Sequence, residues 1–121
     1  MQSFNLLEGL KFNEKNPNAE PLHVDPSGRA LRFTLEPGQE IREHQVPSSP
    51  FFVVILQGKG VFTGKDGREQ AFGPETLLVF DPGEKHSVRA LEKLVFMGFL
   101  HGAPGAQVNM EADQTSAGRG W

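Results

Sequence analysis

Two histidines, His44 and His86, stand in segments whose residue types and spacing could support binding chemistry. His44 lies six residues after Gly38, and His86 lies three residues after Gly83. A neutral imidazole is a common ligand of divalent metals, and it can also exchange a hydrogen bond with a bound molecule. Each histidine is therefore a candidate for holding a ligand, provided that the fold brings the two rings together.

The elements that must position these histidines are short β-strands. Apolar runs, alternating or continuous and separated by turn residues, predict about nine strands, and no segment has helical periodicity. The predicted strands are Leu22–Val24, Leu31–Leu35, Ile41–Val46, Phe51–Leu56, Val61–Thr63, Arg68–Phe72, Leu77–Phe80, Ser87–Ala90 and Leu94–Leu100. Regular short strands of this kind are typical of an all-β sandwich or barrel.

Composition narrows the function classes. The chain has 121 residues and a net charge of −3, and this length predicts one domain. It has no cysteine, which excludes disulfide scaffolds and cysteine nucleophiles. With one Trp, no Tyr and no basic surplus, we expect neither nucleic-acid nor membrane partners. The apolar runs are far shorter than the roughly 20 residues of a membrane-spanning helix. We expect a cytoplasmic protein.

The character of the chain changes near its C-terminus. From Gly102 onward Ala, Gly, Gln, Asn and Ser dominate, and these residues are typical of loosely packed segments. We expect residues 1–104 to form the β-barrel domain and residues 105–121 to form a loosely ordered tail.

The segments around the two histidines resemble the two sequence motifs of the cupin superfamily. Gly38 and His44 match the first motif, and Gly83 and His86 match the second. The resemblance covers roughly residues 29–101. It implies a single-domain cupin, which is a double-stranded β-helix or jelly-roll barrel, with both imidazoles pointing into one cavity.

Two of the four metal-binding positions of the family pattern are not kept. The second histidine position falls on Val46, and the glutamate position falls on Phe51. The resemblance therefore carries only the first and last ligands over, to His44 and His86. Protein sites for divalent metals usually have three or more protein ligands, so two histidines alone are a weak chelate.

A third ligand, His101, is available in only one register of the last two strands. If a two-residue turn joins these strands, Met97 and His101 share the inner face with His86. A three-residue turn reverses the parity and sends them outside. The sequence leaves both registers open. The cofactor prediction is therefore none, or one divalent transition metal held by His44, His86 and, in the first register, His101.

Strand periodicity predicts the other cavity residues. Side chains alternate across a strand, so Arg42 and Val46 should share the face of His44, and Val53 should share that of Phe51. The cavity would then have an apolar floor. Arg42 could hold an anionic ligand at the rim, although an exposed or ion-paired arginine is the commoner outcome. Of the nearby acids, Glu84 is expected to be a surface charge.

The run Phe51–Leu56 is apolar at six successive positions, and a strand of this kind is covered on both faces. One face would line the barrel, and the other needs a second sheet or a second subunit. Small cupins commonly pair through sheet faces or exchanged N-terminal strands, so the resemblance also implies a homodimer.

Three functions are consistent with these residues. The first is a cupin-fold protein that binds a small apolar or weakly acidic molecule in the barrel cavity, with a reduced or lost metal site. The second is a metal-dependent enzyme, such as an oxygenase, isomerase or lyase, that uses His44, His86 and His101. The third is a non-catalytic interaction or regulatory module. Val46 and Phe51 favour the first function, because they put apolar bulk where the family pattern has coordinating groups.

Overall fold

A computed structural model describes residues 1–102 of the chain. The predicted tail, 105–121, lies outside the described residues. Within the described part, the chain forms nine β-strands and no helix, and it contains no helix long and apolar enough to cross a membrane. The all-β prediction is confirmed.

The strands follow the predicted order and differ from the predicted bounds by a few residues. They are β1 (Asn18–Asp25), β2 (Gly28–Leu35), β3 (Glu40–His44), β4 (Phe51–Gln57), β5 (Gly60–Thr63), β6 (Glu69–Phe72), β7 (Leu77–Phe80), β8 (His86–Ala90) and β9 (Leu94–His101).

Two antiparallel sheets form the domain. One has the strand order β1-β2-β9-β4-β7, and the other has the order β3-β8-β5-β6. Apolar side chains from both sheets form a single buried cluster, as expected where two sheets pack face to face. The chain passes between the sheets several times, so the two histidine-bearing strands, β3 and β8, become neighbours.

The centre of the core is a group of phenylalanine rings. Phe33 stacks on Phe96 with ring centroids 4.6 Å apart, and it meets Phe51 edge-on at 6.3 Å. Gly98 makes room for this arrangement, because a Cβ atom there would lie 2.7 Å from the Phe51 ring and 2.8 Å from the Phe33 ring. The glycine that interrupts the last apolar run is therefore explained by close packing.

The outer face of β2 is covered by an N-terminal strap, residues 5–13. Arg32 and Thr34 point to this face but are only 5% and 2% exposed. The Arg32 guanidinium donates to the Glu8 carbonyl at 2.8 Å, and the Thr34 hydroxyl donates to the Lys11 carbonyl at 2.7 Å. The alternating pattern of β2 predicts a half-buried strand, but the strap buries the polar face too.

Candidate functional site

His44 and His86 come together in the barrel. They are direct cross-strand partners of β3 and β8, their ring centroids lie 5.9 Å apart, and their planes meet at 79°. The two residues are only 4% and 6% exposed. The predicted juxtaposition of the two imidazoles is therefore present, and it lies in the protein interior.

Two turn glycines fix where these strands begin. Gly38 and Gly83 have φ angles of 88° and 78°, a backbone region that strongly favours glycine. The Gly38 N–H donates to the Ala90 carbonyl, and the Gly83 N–H donates to the Val46 carbonyl, each at 2.8 Å. The second bond joins the turn before His86 to the chain just after His44, so the glycines of both motifs hold the histidine segments side by side.

The environment of His86 favours one neutral tautomer. Its Nδ1 lies 3.1 Å from the Glu84 carbonyl oxygen. Since a carbonyl only accepts, Nδ1 must carry the hydrogen, and Nε2 is then the acceptor atom of the neutral ring. Burial lowers the pKa of His86 to about 4, a change that the nearby His44 reinforces and the hydrogen bond to Glu84 opposes. His86 is therefore uncharged near neutral pH.

Aromatic rings surround the His86 imidazole. It stacks on Phe80 at 4.7 Å and on Phe51 at 5.0 Å. Val46, Phe51 and Val53, which the sequence places in the cavity, are 2%, 2% and 1% exposed and belong to the core. The histidine pair thus lies against an apolar wall.

The structure corrects the expectation that Arg42 lines the cavity. The register of β3 against β8 shifts between Ile41 and His44. Ile41 and His44 are three positions apart on β3, but their partners Val88 and His86 are only two positions apart on β8. Such a β-bulge reverses the alternation of side chains. Ile41 and His44 both point inward, and Arg42 is left on the surface with its side chain 86% exposed.

His101 and Met97 also lie away from the histidine pair. β8 and β9 belong to different sheets, so the pairing of β9 with β4 decides which of its residues face inward. Met97 pairs with Val54, on the outer face, and His101 lies against Phe52 with ring centroids 5.3 Å apart. The expectation that Met97 lines the cavity is corrected, and His101 cannot complete a site with the other two histidines.

The residues around the pair do not fit a metal centre with three protein ligands. Among residues 1–102, no group of three or more His, Cys, Asp or Glu side chains could hold a metal ion. Val46 and Phe51 occupy the two remaining family positions, and both are apolar and buried. The chemistry that the site supports is hydrogen bonding by neutral imidazole beside aromatic rings.

Glu84 has a structural role that the sequence did not suggest. Its carboxylate accepts hydrogen bonds from the backbone N–H groups of Asp81 at 2.8 Å and Lys65 at 3.0 Å. Burial by itself raises the pKa of Glu84, but these N–H donors outweigh it and hold the pKa below its usual value. Glu84 thus ties the turn before β8 to the hairpin after β5. The Asp-Pro-Gly-Glu turn, in which Glu84 accepts from the N–H of Asp81 three residues earlier, is the sequence signal that could have indicated this role.

A family model described as a cupin domain matches residues 31–97 of the chain. That range contains both histidine segments and most of the two sheets. A search of the curated proteins gave no significant match.

Several solved structures share the fold. An RmlC-like cupin protein from Desulfovibrio desulfuricans is 26% identical, with a TM-score of 0.78 over 84% of this chain and 96% of that one. A conserved protein with a double-stranded β-helix domain from Klebsiella pneumoniae is 16% identical, with a TM-score of 0.79 over 86% and 92% of the chains. A predicted oxalate decarboxylase from Thermotoga maritima is 24% identical, with a TM-score of 0.59 over 64% and 68%.

Proposed function

This chain belongs to the cupin family, and we propose that it binds a small apolar or weakly acidic molecule in the barrel interior without a three-ligand metal site. The observation that carries this proposal is the buried pair of imidazoles, 5.9 Å apart, beside the rings of Phe51 and Phe80. The family fold hosts varied chemistry, so the activity has to be argued from this site.

The chemistry of the pair favours a neutral or weakly acidic ligand. With Nδ1–H of His86 donated to the Glu84 carbonyl, the Nε2 atom can accept a hydrogen bond from a hydroxyl group of a ligand. The rings of Phe51 and Phe80 stack on His86 and make the surroundings of this acceptor apolar, as in many ligand sites. Since both rings are buried, binding requires a local opening of this packing. A strongly charged ligand would be disfavoured, because burying an ion in an apolar site is costly unless it is paired.

Elemental analysis and a binding titration test this proposal together. Protein purified without an affinity tag should contain far less than one equivalent of any transition metal. Phenol, used as a weakly acidic aromatic probe, should shift the Cε1–H resonance of His86 in a proton NMR titration. His44→Ala should weaken this response. A tightly held, stoichiometric metal would refute the proposal, and so would an His86 signal that phenol leaves unchanged.

We also propose that the protein forms a homodimer through an outer patch on the five-stranded sheet. The patch comprises five apolar residues: Phe52, Val54, Leu77, Val79 and Phe99. Leu77 and Val79 are 60% and 52% exposed, and Phe99 is 36% exposed. A twofold contact places a patch against its own copy, and these five side chains carry no charge that would repel. A contiguous exposed apolar patch is a common mark of an interface.

Light scattering coupled to gel filtration tests the dimer with a matched pair of variants. Val79→Lys places a charge in the outer patch, and Val24→Lys places one at a similarly exposed valine of β1, which is 47% exposed. The wild type and Val24→Lys should elute as dimers, and Val79→Lys should shift towards monomer. A monomeric wild type at micromolar concentration would overturn the dimer proposal. It would not bear on the proposal that the barrel interior binds a small molecule.

A further inference from the structure

The barrel is not closed along the line where β6 and β7 face each other. Phe62 pairs with Gln70 and Val53 pairs with Leu78, and cross-strand partners share a face of the sheet. Phe62 and Val53 are 5% and 1% exposed. Their partners share the same inner face, yet Gln70 is exposed and Leu78 is half-buried. The two sheets therefore separate at this seam.

The separation forms a crevice of about 240 Å³. Its apolar wall consists of Phe62, Phe72, Leu78 and Phe80, and the amide of Gln70 is a polar group among them. An apolar wall with a small number of polar groups, here including the charged residues described next, is the usual composition of a small-molecule site. This volume is below the roughly 300 Å³ at which ligand pockets usually begin, so the crevice suits a compact ligand.

The rim of the crevice carries two exposed cations, Lys65 and Arg68. Two carboxylates, Asp66 and Glu84, also line the crevice. Each already accepts a backbone hydrogen bond, Asp66 from the Arg68 N–H at 2.9 Å and Glu84 from the Lys65 N–H at 3.0 Å. Lys65 also pairs with Asp81 at 3.6 Å, with both side chains about 70% exposed. A surface pair of this kind is weak, so an incoming carboxylate can compete for these cations.

We propose that this crevice binds small monocarboxylates that have an aromatic or branched aliphatic body. The body lies against the apolar wall, the carboxylate meets Lys65 and Arg68, and the Gln70 amide orients it. An arginine suits a carboxylate because its guanidinium can donate two parallel hydrogen bonds. The site goes beyond the proposed function, because it does not use His44, although it shares Val79 with the outer patch and Phe80 with the surroundings of His86.

An NMR titration of the full chain with phenylacetate tests this site. Amide shifts should concentrate at Gly64, Gln70 and Leu78, and the neutral analogue phenylacetamide should bind more weakly. Arg68→Gln should weaken phenylacetate binding by at least about fivefold, since a charge-assisted hydrogen bond is lost. Arg42→Gln is the matched control, because this arginine lies on β3 of the sheet that contains β6, outside the crevice lining, is 86% exposed, and should leave binding unchanged.

The outcomes separate this site from the barrel interior. Crevice shifts that persist in His44→Ala support the proposal, whatever phenol does at His86. Three results would overturn it: no crevice shift at millimolar phenylacetate, equal binding of the acid and the amide, or equal losses for Arg68→Gln and Arg42→Gln.

Discussion

Inner-facing side chains are buried in one region of the barrel and remain partly or fully exposed in another. Around β3 and β8 the inner face is packed, and even two histidines are only 4% and 6% exposed. Along the seam between β6 and β7, the inner-facing Gln70 is exposed and the inner-facing Leu78 is half-buried. Both regions have side chains that face inward, so facing inward is not sufficient for burial.

The difference arises from what covers each region. β8 lies between β3 and β5, whereas β6 and β7 are edge strands of their respective sheets. β3 is an edge strand too, but the chain that follows it brings the buried residues Val46 and Phe51 into the core. The seam has no such cover among the described residues. Substitutions in the packed region should therefore have the larger effect on the free energy of unfolding, and the seam should be the part of the barrel that is open to small molecules.

The largest effect that tests this comparison is expected from Phe51→Ala in the packed region. Phe51 is 2% exposed and lies against Phe33, Phe80 and His86, so its truncation should leave a cavity. The free energy of unfolding should fall by about 4 kcal/mol, as measured by urea denaturation. A loss below about 1 kcal/mol would mean that the region is loosely packed after all.

A pH effect of intermediate size should come from His86. Its pKa is about 4 in the folded protein against 6.5 for the unperturbed group, so the unfolded chain binds the proton more readily between these values. Stability is then fully present above pH 6.5 and is lost as the pH falls towards 4, by about 3 kcal/mol in total. Unfolding free energies at pH 7.5 and pH 5 should differ by about 2 kcal/mol.

A variant without this imidazole provides the control for the pH effect. His86→Phe should remove most of the decline between pH 7.5 and pH 5. The acids with lowered pKa values, Asp25 and Glu84, lose their contribution only at lower pH, because their usual values are 3.8 and 4.5. An undiminished decline in His86→Phe would show that another group is responsible.

A smaller loss is expected from Gly98→Ala, which adds one methyl group to the packed region. The new Cβ would meet the Phe51 and Phe33 rings at 2.7 and 2.8 Å, and the rings would have to move. Overpacking of this kind should cost about 2 kcal/mol, measured by urea denaturation. Gly73→Ala serves as the comparison, because its Cβ would meet only the Lys59 side chain at 3.8 Å. Equal losses for the two variants would contradict the packing argument.

The smallest loss is expected from Leu78→Ala at the seam. Leu78 is half-buried, so truncation removes less contact than it would in a closed core and should cost about 1 kcal/mol. The same denaturation experiment provides the value. A loss as large as that of Phe51→Ala would show that the seam is closed in solution, which would also count against the carboxylate crevice.

The sequence alone was sufficient to predict the strands, and its resemblance to the cupin motifs implied that the two histidines meet. Turn residues and apolar runs marked nine short strands, with His44 inside the third and His86 directly before the eighth, each a few residues after a turn glycine. These are local properties, since Gly83 and Gly38 need left-handed backbone angles that other residues rarely adopt. The cytoplasmic location and the homodimer remain predictions.

Only the tertiary structure decided which way particular side chains point. The bulge between Ile41 and His44 turned Arg42 outward, and the pairing of β9 with β4 rather than β8 did the same for Met97 and His101. The burial of Arg32 depends on carbonyls about 25 residues earlier in the chain. Each outcome depends on pairing between distant segments, and because side chains alternate with a period of two, a shift of one residue reverses every face.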